Sequence, residues 1–269
     1  MAQRLDVFLT EKHDSKSRES AKRAICSGLV TVNGLVVKKP SFLVEGHEDI
    51  VITKDENTFV GRGGLKLKKA IDSFNIHLTN LVCMDIGAST GGFCDCMLQN
   101  GARKVYAVDV GTGQLSKQLL ADYRVINLEK TDVRGLDLED FRDVSFVSVD
   151  VSFISVCLVL PIVAELITPS GEGVVLIKPQ FEAGRSRIGK GGIVKDKNVH
   201  RDVLIKVIEF AKSLGLTVRH LTFSPISNGN IEYLLHLKKE ENDKETVEKN
   251  EDSYQICDII NEAYAFFGT

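Results

Sequence analysis

One stretch limits the fold more than any other. It is Val82-Cys-Met-Asp-Ile-Gly87, followed at once by Ala-Ser-Thr-Gly-Gly-Phe93. A short apolar run closed by glycine reads as a strand buried on both faces, and such strands belong to parallel sheets covered by helices. Gly87, Gly91 and Gly92 let the backbone approach a ligand closely. A helix starting at Phe93 would aim its unpaired N–H groups at the same place. Eighteen residues past Gly91, closing the next β-rich run Val105-Tyr-Ala-Val-Asp109, sits an acid able to accept both hydroxyls of a ribose. A bare strand-to-helix turn needs neither the three glycines nor the acid.

The pattern around this loop extends the same architecture. From residue 61 onward, strand-like runs at 81–87, 104–110, 125–129, 145–151 and 173–178 alternate with helix-like segments. A helix is expected near 199–214, then strands at 217–223 and 231–237. The short connection at 225–230 makes those two antiparallel, because a parallel return needs a long crossover. Apolar residues at helical spacing over 254–267 predict a terminal helix on the core. The charged run 238–252 holds four Lys against seven Asp or Glu and reads as a mobile insertion.

Residues 1–53 form a separate α+β block. Ser17 is placed to cap a helix that Gly28 stops, and Asn33-Gly34 between two β-rich runs signals a hairpin. Residues 54–60 are read as a linker and 61–269 as the second domain. With 43% hydrophobic residues among 269, the chain can bury one full core and a small second one. Cys26, Cys83, Cys94, Cys96, Cys157 and Cys257 contain no C-x-x-C pair, so neither a zinc site nor a disulfide framework is expected. The first residues are charged at once, with no apolar leader pattern. The longest apolar stretch, 156–167, contains Pro161 and Glu165 and falls short of the roughly 20 residues a span requires. A cytoplasmic protein without a membrane partner is the expectation.

The cofactor can be narrowed. A pyrophosphate favours G-x-G-x-x-G, whereas this loop is Gly87-Ala-Ser-Thr-Gly-Gly92. Together with the antiparallel final pair, that points from NAD towards S-adenosylmethionine and a Rossmann-like class I methyltransferase sheet, mostly parallel with an antiparallel last strand. The expected cofactor residues are Asp85, Gly87, Ala88, Ser89, Thr90, Gly91, Gly92 and Phe93, with Asp109 and Asp150. Asp132 can bond an adenine amino group or cap a helix. Candidates for the chemistry sit at strand ends, where a doubly wound sheet places its crevice. Asp150 ends the fourth strand and Lys178 the fifth, where Pro179 forces a turn. Lys66 and Glu232, each taken alone, read more readily as surface ion-pair partners, whereas for Lys178 with Asp150 the two readings stand even.

Across nearly the whole chain these runs resemble the TlyA family of ribosomal RNA 2′-O-methyltransferases, relatives of the FtsJ-type fold. The matching runs are Arg4-Leu-Asp, Gly61-Arg-Gly-Gly-Leu-Lys66-Leu, Asp85-Ile-Gly-Ala-Ser-Thr-Gly-Gly-Phe93, Asp150-Val-Ser-Phe-Ile-Ser155, Ile177-Lys-Pro-Gln-Phe-Glu182 and Gly189-Lys-Gly-Gly-Ile-Val194. The first block resembles the RNA-binding domain of small-subunit ribosomal protein S-four. The resemblance implies a catalytic Lys-Asp-Lys-Glu tetrad on Lys66, Asp150, Lys178 and Glu232. It also implies methylation of cytidine in ribosomal RNA of the small or large subunit. Some members carry a haemolysin label, so a membrane-lytic protein is an alternative, as is a methyltransferase for another RNA.

Charge supports an RNA partner locally and not globally, since the net charge is −3. Residues 1–40 hold eight Lys or Arg against four acids, and residues 178–201 hold seven against two. Such patches bind phosphate without choosing sequence. The expected RNA contacts are Arg4, Lys12, Arg18, Lys22, Arg23, Arg62, Arg185, Arg187 and Lys190. No aromatic stacking surface is expected beside them.

Overall fold

The computed structural model describes residues 2–12, 17–26, 28–52, 59–240 and 252–268. The chain divides into two compact units, Met1–Thr58 and Phe59–Thr269.

The first unit opens with β1 (Gln3–Arg4) and α1 (Leu5–Lys12), followed by α2 (Arg18–Cys26). Ser17 Oγ accepts from the Ser20 N–H at 3.2 Å, and Gly28 takes φ +77° after the helix, so both ends form as expected. β2 (Val30–Val32) and β3 (Leu35–Val36) flank Asn33 and Gly34, whose φ values of 50° and 78° make the tight hairpin turn. β4 (Leu43–Val44) pairs with β1, and β5 (Ile50–Ile52) pairs with β2. Leu5, Leu9, Ala21, Ile25, Val30 and Val44 are fully buried and form this unit's own small core.

The second unit begins at Phe59, two residues before the predicted start. The Val60 N–H donates to Asp95 Oδ2 at 2.8 Å, tying the segment to the glycine-loop helix. Of the predicted linker, residues 54–58 lie outside the described residues, as does most of the charged run, residues 241–251. α3 (Gly63–Phe74) precedes β6 (Val82–Ile86), α4 (Gly92–Gln99), β7 (Lys104–Val108), α5 (Lys117–Leu120), β8 (Val125–Leu128) and β9 (Phe146–Val149). Then come α6 (Leu160–Leu166), β10 (Glu172–Ile177), α7 (Pro179–Glu182), α8 (Lys197–Ser213), β11 (Leu216–Phe223), β12 (Tyr233–Lys239) and α9 (Asp252–Phe267). The apolar stretch at 156 begins as a 3-10 turn and becomes α6 only around Pro161, a residue tolerated in a first helical turn.

The sheet order is β11-β12-β10-β9-β6-β7-β8. β12 runs antiparallel to both neighbours, and the other described pairs are parallel. The chain leaves β6 in one direction through β7 and β8, then returns to β9 on the other side of β6. That reversal is the crevice where doubly wound sheets take ligands. One apolar core lies on each face of the sheet, including Met84, Val147 and Leu204 on one side and Cys83, Phe93 and Leu234 on the other.

Candidate active site

Strand register brings the site together. Ile86 lies opposite Val149, so Gly87 and Asp150 emerge side by side. Ile177 lies opposite Tyr233, so Lys178 emerges beside Glu232. The fourth residue arrives on α3. This helix starts from a glycine-rich run because it must cross α4 almost in backbone contact. A Cβ on Gly92 would sit 2.8 Å from the Gly64 nitrogen and 3.1 Å from the Gly61 oxygen. This run opens the second domain, and it is the sheet unit's first helix, which points Lys66 into the crevice.

The four side chains form one chain of ion pairs. Glu232 Oε2 is 2.7 Å from Lys66 Nζ, and Lys66 Nζ is 3.6 Å from Asp150 Oδ2. Asp150 Oδ1 is 2.5 Å from Lys178 Nζ, which also donates to Ser152 Oγ at 2.9 Å. Lys66 and Lys178 are 8% and 7% exposed, far more buried than lysines usually are. The Asp150–Lys178 contact is close in distance but not aligned as a hydrogen bond, leaving the buried Oδ1 without a donor. Two cations and two anions make the cluster electrically neutral.

Lys66, Asp150 and Lys178, with Glu232 behind Lys66, edge a cleft of about 280 Å³ that is also lined by Gly87, Ala88, Ser89, Thr90, Gly92 and Phe93. Gly87 has φ +87°, and a Cβ there would stand 2.6 Å from the Asp150 oxygen, so only glycine closes this corner. The Ser89 N–H donates to Asp109 Oδ2 and the Gly111 N–H to Asp109 Oδ1, each at 2.7 Å. A carboxylate has about four acceptor sites, so Asp109 retains capacity for a diol.

Asp109 stands behind Ser89 and does not line the cleft itself, and three further expected cofactor residues do not line it either. Asp85 is fully buried beneath the loop. It accepts from the Cys94 N–H at 3.1 Å and from Ser148 Oγ at 2.9 Å, which staples β6 to the start of α4 and to β9. Burial raises its carboxyl to about 7, against the pull of those donors. Gly91 turns towards α5, where a Cβ would strike Leu119. Asp132 caps a 3-10 turn through the Arg134 N–H at 3.0 Å and pairs with the Arg134 side chain. Of the two readings open for Asp132, the structure displays the cap.

Ser152 and Phe153 escaped sequence reasoning, although both lie in the Asp150-Val-Ser-Phe run. Phe153 is 89% exposed and holds φ +68°, a strained angle for a bulky residue. Its ring meets Phe181 at 5.3 Å. Buried Glu182 fixes this loop by accepting from Ser155 Oγ and the Val156 N–H, both at 2.6 Å. Cys157 lines a separate hollow against α8, with Lys206 and Phe210.

The basic residues are dispersed. Arg62 is exposed at the cleft rim and donates to Asn228 Oδ1 at 3.1 Å. Arg187 is paired with Asp202, whereas Arg185 and Lys190 are exposed and carry no ion pair among the described residues. In the first unit Lys12 and Lys22 are exposed, and the Arg23 side chain lies outside what is described. Arg4 and Arg18 both bond the buried Asp6 carboxylate, at 2.9 and 3.1 Å. Arg4 first and Arg18 second hold that carboxyl down to about 2 against the opposing effect of burial.

Comparison with known proteins agrees with this geometry. The model described as FtsJ-like methyltransferase matches residues 59–239, and the S4 domain model matches residues 3–51. The Bacillus subtilis protein YqxC, whose name assigns it provisionally to the rRNA methyltransferases, is 43% identical over 97% of this chain and 94% of its own length. The Mycobacterium tuberculosis protein named 16S/23S rRNA (cytidine-2′-O)-methyltransferase TlyA is 38% identical over 87% of this chain and 89% of its own. A solved structure from Streptococcus thermophilus, provisionally named a hemolysin, is 42% identical with a TM-score of 0.73, covering 99% of this chain and 97% of that one. The chain belongs to the FtsJ-like methyltransferase family and, with its S4 domain, to the TlyA group within it.

Proposed function

We propose that this FtsJ-like methyltransferase transfers a methyl group from S-adenosylmethionine to the ribose 2′-hydroxyl of cytidine in ribosomal RNA, acting on ribosomal subunits in the cytoplasm. The observation carrying this reading is the Glu232–Lys66–Asp150–Lys178 chain at the edge of the glycine-loop cleft. The cleft fits the cofactor because its corner at Gly87 admits no Cβ and Asp109 keeps acceptor capacity for a ribose. The backbone of Gly87 to Thr90 would hold the cofactor, with Asp109 on its hydroxyls. When bound, S-adenosylmethionine supplies an electrophilic methyl group on a sulfonium.

The protein's remaining tasks are to place a weak nucleophile and to manage its proton. Lys178 Nζ is held at the cleft by Asp150 and Ser152. Charged, it donates to the 2′-oxygen and orients it; neutral, it accepts the proton. Lys66 and Glu232 keep Asp150 in place, and the neutral cluster sets no net charge against a cationic cofactor. Cys157 lies away from the cleft, which disfavours carbon methylation through a cysteine nucleophile. The exposed Phe153 ring offers the target base a face to stack on, worth about 1–3 kcal/mol per base in single-strand complexes. Arg4, Lys12, Arg18, Lys22, Arg62, Arg185, Arg187 and Lys190 supply phosphate contacts.

The test is transfer from labelled cofactor to unmodified ribosomal subunits. Label is expected in RNA and resistant to alkali-driven cleavage of the adjacent bond. Label in protein, or none, overturns the reading. The hemolysin names of several relatives support a second reading. No helix among the described residues is long and apolar enough to cross a membrane. Leakage of liposomes at nanomolar protein would revive it.

A further inference from the structure

The last catalytic residue is held from both sides by one loop. Residues 184–194 carry Arg185, Arg187 and Lys190 and lead into α8. The loop is glycine-rich, with Gly184, Gly191 and Gly192 at positive φ, so nothing in its own sequence makes it rigid. Its final residues are nonetheless bonded to the segment that contains Glu232. The Val194 N–H donates to Asn230 Oδ1 at 2.9 Å, and Asn230 Nδ2 donates to the Gly192 oxygen at 3.0 Å. Asn230 stands two residues before Glu232.

A second link reaches the residue after Glu232. His200 on α8 is fully buried, with Nε2 3.0 Å from the Val194 oxygen and Nδ1 2.7 Å from the Tyr233 hydroxyl. A carbonyl can only accept, so Nε2 bears the proton and Nδ1 accepts from Tyr233. Burial lowers the basicity of His200, opposed by the Val194 carbonyl and Asp196, which favours this neutral form. Tyr264 adds an outer brace, its hydroxyl donating to the Lys195 oxygen at 2.7 Å. The chain from 192 to 195 is therefore tied at Asn230, at Tyr233 and to α9. Glu232 sits between the first two ties and reaches Lys66 at 2.7 Å.

We infer that Asn230 and the His200–Tyr233 pair are positioning residues that lock the basic loop to the segment that holds Glu232 at the start of β12, so that phosphate contact by the loop and the setting of the Lys66–Glu232 pair are one event. The inference rests on the proposed function, because it needs RNA at the loop and methyl transfer at the tetrad. Arg185 and Lys190, exposed and without ion pairs among the described residues, are the groups that touch the RNA backbone. The ties pass their position to Glu232 through Gly192, Val194 and Asn230. RNA bound productively then holds Glu232 on Lys66, and through it Asp150 and Lys178. RNA that reaches only the first unit does not.

The test uses the full chain with Asn230→Ala, Tyr233→Phe and Lys190→Ala, singly and combined. Amide hydrogen exchange without RNA reads the ties directly. Asn230→Ala should accelerate exchange at Val194 by about 10-fold or more, as loss of one buried acceptor implies. Cofactor affinity by calorimetry should stay within about twofold. Single-turnover methylation of unmodified subunits at saturating RNA should fall about 10-fold, a loss in kcat and not only in KM. Tyr233→Phe keeps the core volume, removes one tie and should show a smaller loss of the same kind. Lys190→Ala should lower both RNA affinity and saturating rate in the wild-type background, but only affinity once Asn230 is alanine. Rate losses that simply multiply in the double variant overturn the coupling, as does an unchanged saturating rate in Asn230→Ala. A wild-type chain that transfers no methyl to RNA instead sinks the proposed function, and the coupling with it.

Discussion

Replacing Lys178 by methionine tests the tetrad most sharply, because it removes the ammonium and keeps the length of the side chain. The structure sets two effects. Asp150 loses its partner at 2.5 Å and keeps only Lys66 at 3.6 Å. Stranding a fully buried charge costs about 3–5 kcal/mol. The Asp150 side chain is 19% exposed and still faces Lys66, so about 1–3 kcal/mol is expected. In a unit of this size each kcal/mol lowers Tm by about 2–4 °C, so the drop should be between about 2 and 12 °C. The rate effect is larger, since a positioned proton-transfer group contributes about 10²–10⁴-fold. Cofactor affinity should change by less than about threefold if Lys178 acts on the nucleophile, as proposed. Lys178→Arg keeps a donor that cannot act as a base. Retained transfer by arginine identifies an orienting role, and loss equal to that of methionine identifies a proton acceptor. The assays are thermal melts, calorimetry with cofactor and single-turnover methylation. A folded Lys178→Met chain within tenfold of wild-type turnover would refute the assignment.

Other consequences are as concrete. Gly87→Ala drives a methyl into the Asp150 carbonyl at a left-handed backbone angle, so cofactor affinity should fall at least about 10-fold, read by calorimetry. Asp85 binds its proton more tightly folded than unfolded, so its contribution is full below the ordinary carboxylate range and is lost as pH rises towards about 7. Asp85→Asn should therefore gain stability relative to wild type between about pH 4 and 7 in thermal melts, and a pH-independent difference would contradict the burial argument. Removing residues 1–52 should weaken RNA binding at least about 10-fold and flatten its salt dependence, with cofactor affinity unchanged, and equal losses would refute separate roles.

The parallel sheet was legible in sequence because its strands are buried on both faces and read as continuous apolar runs. The glycine loop and the antiparallel end were legible from glycine spacing and a short turn. α3 was not, because Gly61-Arg-Gly-Gly has the local propensity of a loop. It is helical because those glycines allow contact with Gly92, a tertiary effect. The burial of Asp85 beneath the loop was not legible for a related reason. In a strand buried on both faces, periodicity does not tell which carboxylate faces the cleft and which staples the loop beneath it. Ser152 and Phe153 depend on where the chain turns after Asp150, which is fixed by the distant Glu182. The four tetrad positions lie within a few ångströms only through strand register and helix crossing, which spacing along the chain does not encode.

Nucleoside analysis tests the central claim most directly. Unmodified ribosomal subunits are incubated with the chain and labelled cofactor, digested to nucleosides and resolved by mass spectrometry. The account predicts a single labelled product, 2′-O-methylcytidine, formed at least about 10²-fold more slowly with Lys178→Met. Label on a base, or ribose label formed by Lys178→Met within about tenfold of the wild-type rate, would contradict it.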